Sequence, residues 1–255
     1  VTSSSAEYPG WFAPLLEVVA HAEARQLGVF APPVGRAPRR SAVLILFGHA
    51  DAGPEVLLTE RAADLRSHAG QVAFPGGALD PTDGGPVAAA LREAREETGL
   101  DPAGVQVAGP LPDLYLMVSD FVVTPVVAWW REPAPVGAIN PAEVARVVRV
   151  PVAELTDPAN RFRVTHPSGY VGPGFSASGL FVWGFTAGIL DRLLHLTGWE
   201  RPWDLTRSEP LPATLTSTEL TPAELTPTEL TPTSLTTAVR STSPLSPHQS
   251  PELPR

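Results

Sequence analysis

Between Pro86 and Gly99 the chain is committed to a helix. Proline suits the first helical position, where its missing amide would be unpaired anyway, and glycine just past the last turn accepts the left-handed backbone that ends a helix. The segment between them makes about three and a half turns. At about 100° per residue, Glu93 and Glu97 lie roughly 40° apart and Glu96 about 60° to the other side of Glu93, so three carboxylates share one edge. Val87, Ala90, Leu91 and Ala94 occupy the neighbouring sector. A helix of this kind docks its small apolar side on a sheet and leaves the carboxylates projecting along one border. Like charges at these spacings repel by a few tenths of a kcal/mol per pair, roughly, so the pattern asks for compensation. Arg92 and Arg95 flank the cluster, and on spacing alone a solvated, salt-bridged face is the commoner outcome. The competing reading is a site for a hard divalent cation, with waters and substrate phosphates completing the shell. Acidic charge near a helix C-terminus opposes the macrodipole, and a merely solvated face has no reason to choose that end.

The rest of the chain frames this helix. From Leu205 to Arg255 there is no aromatic residue, and leucine recurs every five positions from Leu215 to Leu235. That period fits neither helix nor strand, and Pro222, Pro227 and Pro232 remove backbone donors. The expected organisation is an N-terminal helix and linker over 1–40, a domain over 41–204 and a disordered Thr/Pro/Leu-rich tail over 205–255. A partner-docking motif is the alternative for the tail. Within the first two parts, helices are expected at Trp11–Gln26, Ala142–Val148 and Phe185–Leu196. Strands are expected at Ser41–Phe47, Glu55–Thr59, Val105–Ala108, Phe121–Trp130 and Arg161–Thr165. Their irregular interleaving predicts a mixed sheet covered by helices on two faces.

Charge narrows the partners. All 18 basic residues are arginine against 27 acidic ones, a net charge of -9, which argues against a nucleic-acid binder. The longest stretch without a charge, Val164 to Leu190, is broken by glycines and prolines and is no membrane span. Val1–Tyr8 lacks the pattern of a signal peptide, so a cytoplasmic location is expected.

Read in order, Arg92-Glu93-Ala94-Arg95-Glu96-Glu97-Thr98-Gly99-Leu100 resembles the core of the Nudix hydrolase signature, which follows a glycine-rich loop as here. Upstream, Gly77 is followed by five residues and then Asp83 where glutamate is usual, with eight rather than seven residues before Arg92. The segment Leu57 to Gly77, containing Leu57-Leu58-Thr59-Glu60-Arg61, Arg66 and Gly70 to Gly77, resembles the mark of the coenzyme A pyrophosphatase branch, which often shows the same Asp and longer spacing. The two motifs together span Leu57 to Leu100.

The resemblance implies an α/β/α sandwich with a mixed sheet, and hydrolysis of a nucleoside-linked diphosphate that requires Mg²⁺ or Mn²⁺. For the branch the substrate would be coenzyme A or an acyl-CoA, cut to 3′,5′-ADP and 4′-phosphopantetheine or its acyl derivative. Metal positions carry over to Glu93, Glu97 and Glu96, with Arg92 fixing a carboxylate and Gly77, after Gly76, allowing close backbone approach. Glu96 or Glu97 is the candidate base. Glu143 is a second candidate, set against an ordinary helix-start glutamate. Arg61 and Arg66 suit a 3′-phosphate or the diphosphate, or else pair with Glu60 or Asp64. His68 reads as structural. Alternatives are the same chemistry on another nucleoside diphosphate derivative such as ADP-ribose, and a non-catalytic nucleotide-sensing Nudix module. The partner is a small molecule, with neither nucleic acid nor membrane, and a homodimer is left open. Ser176 and Ser178 lack a nucleophile elbow, a P-loop needs the lysine that is missing, and without cysteine no Cys/His metal cluster exists.

Overall fold

The computed structural model describes residues 8–28, 37–65, 68–117, 120–167 and 169–216. Two long strands, β1 (Arg39–Ala50) and β2 (Gly53–Arg61), turn at Asp51–Ala52 and are followed by the short β3 (Val72–Ala73) and β4 (Gly76–Ala78). The acidic helix is preceded in the chain by α1 (Ala13–His21) and is therefore α2 (Pro86–Thr98). It begins with Pro86 and ends on Gly99 at φ 71°. Beyond it come β5 (Val105–Pro110), β6 (Leu114–Leu116), β7 (Phe121–Trp130), β8 (Val144–Pro151), α3 (Val152–Thr156), β9 (Arg161–Thr165), β10 (Val171–Ala177), β11 (Leu180–Val182), α4 (Gly184–Leu196), β12 (Ser208–Pro210) and α5 (Ala213–Thr216).

Side-chain alternation along the central strands sorts the core into two layers. Ala42, Leu44 and Leu46 of β1, Leu57 of β2, and Val126, Ala128 and Trp130 of β7 pack against Ala89, Ala90 and Ala94 of α2. Their neighbours Ile45, Phe47, Val56, Leu58 and Val127 face Leu15 and Val18 of α1 and Leu190, Leu193 and Leu194 of α4. The result is an α/β/α sandwich. Its sheet runs β3-β2-β1-β7-β5, with β4 on β1, β6 on β7 and β8 on β2. It is mixed, because β1 and β7 are parallel while the other pairs are antiparallel.

One departure from regular pairing prepares the site. β1 and β2 pair only from Phe47↔Val56 to Ala50↔Gly53, beside their turn. Beyond that they splay, β4 taking the edge of β1 at Ser41–Val43 and β3 the edge of β2 at Thr59–Glu60. The fit is tight at Gly76, where a Cβ would fall 2.4 Å from the Ala42 carbonyl oxygen.

Three expectations need correction. The helix expected at Ala142–Val148 is the strand β8, paired along most of β2; four valines at 144, 147, 148 and 150 favour an extended chain, and the free edge of β2 supplies its hydrogen bonds. The first helix stops at His21, because Ala22 is extended and Glu23 and Gln26 form a reciprocal cap that restarts the chain as a 3-10 turn. A second sheet, β11-β10-β9-β12, carries β12 parallel to β9, and Leu211 and Leu215 are buried with Phe162, Val164 and Trp183. Residues 205–216, expected to be tail, therefore complete a small core, and the remainder of that segment lies outside the described residues. No helix of the described residues is long and apolar enough to cross a membrane.

Candidate active site

The open end of the β1–β2 splay lies against the acidic edge of α2. The Gly76 amide donates to the Glu97 carboxylate at 3.1 Å, and a Cβ on Gly77 would sit 2.6 Å from the Glu93 carboxyl carbon. Any side chain at Gly77 would force the Glu93 carboxylate to shift from its place.

Arg92 organises the outer part of the cluster. Its guanidinium bonds Asp83 through Nε and Nη2, both at 3.0 Å. Nη1 bridges Glu93 at 2.9 Å and Glu96 at 3.2 Å, and Nη2 also reaches the Ala78 carbonyl at 3.1 Å. Asp83 is held well below the usual carboxylate range by the Arg92 hydrogen bonds, with help from the Asp80 amide. The carboxylate that departs from the usual signature is thus the anchor of Arg92.

The three glutamates are not equivalent. Glu96 is 59% exposed and Glu93 19%. Glu97 is pushed up to about 7, chiefly by burial; the Gly76 amide and Arg61 favour its charge, while Glu93 and Glu143 oppose it. Arg61 ends β2, and its buried Nε has no hydrogen-bond partner among the described residues. Glu60 pairs with Arg146 instead of with Arg61, and no Arg61–Asp64 bridge forms among the described residues. Arg66 lies outside them. His68 bonds Gln71 at 3.0 Å.

Glu143 joins this group through backbone contacts. Gly137 and Ile139 donate to the carbonyls of Thr98 and Glu97 at 3.0 and 3.2 Å, and the Ala62 amide donates to the Glu143 carbonyl at 2.9 Å. The loop after β7 thereby closes the C-terminal end of α2 and the end of β2 together. No helix starts at Glu143, so the ordinary explanation for an acid there is removed. The Ser178 reading is settled differently: Ser178 and Gly179, at φ 51° and 71°, form the tight turn between β10 and β11, with the Ser178 hydroxyl bonded to Glu154 at 3.1 Å.

Among the described residues no three carboxylates or imidazoles are already drawn into a metal cage. The donor chemistry nevertheless fits a hard divalent cation: Glu93 and Glu97 are oxygen donors at a glycine-cleared backbone, and their mutual repulsion is what a shared cation would relieve.

The NUDIX domain family matches residues 37–168, which hold the splayed strands, the acidic helix and the loop through Glu143. The chain belongs to the Nudix family. Curated relatives named uncharacterized Nudix hydrolase NudL include one from Cronobacter sakazakii, 46% identical over 156 residues, covering 58% of this chain and 78% of the relative. Another, from Escherichia coli K12, is 43% identical over 147 residues, covering 55% and 73%. Among solved structures, the Nudix hydrolase RenU of M. smegmatis aligns with 66% of this chain and 90% of its own at 22% identity and a TM-score of 0.47. As a member of the Nudix family, the chain is a hydrolase acting on a diphosphate substrate. Asp83 was legible as the Nudix acid that departs from the usual residue; its partnership with Arg92 had no separate signal in the sequence.

Proposed function

We propose that this Nudix hydrolase cleaves the diphosphate of coenzyme A or an acyl-CoA, giving 3′,5′-ADP and 4′-phosphopantetheine or its acyl derivative. The observation that carries the reading is Arg61, a residue of the branch-like segment, whose charge reaches Glu97 while its buried Nε is unpartnered. A cation so placed suits a phosphate arriving beside the glutamates.

Glu93 and Glu97 would hold Mg²⁺ or Mn²⁺, with Glu96 as the outer ligand. When bound, the ion supplies charge neutralisation and Lewis acidity toward the phosphoryl oxygen. Arg92, fixed by Asp83, holds Glu93 and Glu96 in place. Arg61 neutralises one phosphate and orients the diphosphate. Of the carboxylates in reach, Glu96 is engaged by Arg92 and Glu97 by the Gly76 amide, whereas Glu143 is exposed and carries no ion pair among the described residues. Glu143 is therefore assigned the proton of the attacking water.

The test is a panel of CoA, acyl-CoA, ADP-ribose and a dinucleotide, each with and without Mg²⁺ or Mn²⁺. CoA species should be cleaved fastest and only with metal. Glu143→Gln should lower kcat by about 10²–10⁴-fold, with metal affinity retained. Preference for ADP-ribose would replace the substrate assignment; nucleotide binding without turnover of any member would favour a sensor.

A further inference from the structure

Beyond the strand end that carries Arg61, stretches remote in sequence enclose a groove of about 310 Å³, at the lower end of the range of small-molecule sites. Ala63 and Gly70 form one wall, Gly179 and Phe181 another, and Leu215 a third. Phe181 and Leu215 rest on the core of the second sheet. The third wall is fitted closely: Gly70 has φ +68°, and a Cβ there would lie 3.0 Å from Leu215 Cδ2.

The polar groups of the groove do not invite an anion. Glu60 lines it and is ion-paired with Arg146, whose Nη2 also bonds the Gly179 carbonyl at 3.1 Å. Among the described residues no unpaired cation lines the groove, so a phosphate would meet a carboxylate and apolar surface. An uncharged, partly apolar chain meets neither penalty. Glu60 and Arg61 are consecutive, their Cα atoms about 3.8 Å apart, and the pairing of β2 with β8 shifts register between them, an irregularity that re-aims neighbouring side chains. A molecule held by its diphosphate beside Arg61 thus reaches the groove by passing one strand end.

We propose that this groove holds the uncharged arm of the substrate beyond the diphosphate, which for coenzyme A and its thioesters is pantetheine with its acyl chain; the identity of that arm rests on the substrate assignment above. The C-terminal wall at 212–215 then takes part in choosing the substrate.

Ala63→Trp and Thr214→Trp fill the groove from opposite walls at exposed positions, so both variants should fold. In the full chain each should raise KM for octanoyl-CoA roughly tenfold or more with kcat unchanged, the mark of lost ground-state binding. Hydrolysis of ADP-ribose, which has no such arm, should be unaffected. Calorimetric titration with S-octanoyl-pantetheine, which has no phosphate, should show binding to the parent chain and loss in both variants. An octanoyl-CoA KM within about twofold of the parent in both variants overturns the groove assignment. If the parent chain cleaves no CoA species, the substrate assignment falls by itself, and the titration decides the groove: binding lost in both variants upholds it, and absent or unaltered binding overturns it.

Discussion

Replacing Glu97 by glutamine should stabilise the metal-free protein while abolishing turnover, and the stabilisation should depend on pH. In the fold the Glu97 carboxyl titrates at about 7 against an ordinary 4.5, because burial disfavours its charge and Glu93 and Glu143 add repulsion that the Gly76 amide and Arg61 only partly offset. That difference corresponds to about 3 kcal/mol of unfavourable ionisation. Below pH 4.5 the group is protonated in both folded and unfolded chains, and nothing is lost. Between pH 4.5 and 7 the unfolded chain releases its proton first, so stability falls as pH rises; above pH 7 the full cost is present. Glutamine keeps the acceptor for Gly76 without the charge. In EDTA at pH 8, Glu97→Gln should therefore melt about 6–12 °C above the parent chain, taking about 2–4 °C per kcal/mol for a domain of this size. At pH 4 the two should coincide. Circular-dichroism melts across this range are the assay, and added Mg²⁺ should narrow the gap from the parent's side. A variant that melts below the parent at pH 8, or by the same offset at both pH values, would refute the reasoning.

Three further outcomes follow from the same contacts. Gly77→Ala places a methyl 2.6 Å from the Glu93 carboxyl carbon, and steady-state assays should show kcat reduced at least about tenfold with a raised Mg²⁺ requirement; unchanged metal dependence would contradict it. Arg92→Ala leaves Asp83 without its partner and should lower stability in denaturant unfolding, with Asp83→Asn in the same chain recovering part of the loss; strict additivity would deny the coupling. A chain ending at Thr216 should melt like the full-length protein, whereas one ending at Asp204 uncovers the Phe162–Val164–Trp183 cluster and should melt several degrees lower; equal melting of the two would remove the C-terminal wall from the fold.

Local rules were legible wherever the sequence carried its own punctuation. Pro86 and Gly99 framed α2, and the segments expected as strands at Phe121–Trp130 and Arg161–Thr165 have those bounds in the fold. The expected helix over 142–148 failed because the deciding partner, the edge of β2, is more than eighty residues away in the chain. Leu215 was read as the first member of a repeat, although Leu211 four residues earlier shares its burial in the second core. In the site, the shared edge of Glu93, Glu96 and Glu97 follows from helical geometry, but their unequal burial does not. Nor could spacing reveal that Asp83 grips Arg92, or that the chain through Glu143 returns to the end of α2, since both are contacts made by loops.

The bonds from Gly137 and Ile139 to the last carbonyls of α2 have a mechanical corollary. The stretch that presents Glu143 is fastened to the same backbone that presents Glu97, so these two acids travel together rather than as jaw and anvil. Deuterium uptake at the Gly137 and Ile139 amides should accordingly track the unravelling of the helix end, and substrate entry should be governed by other segments.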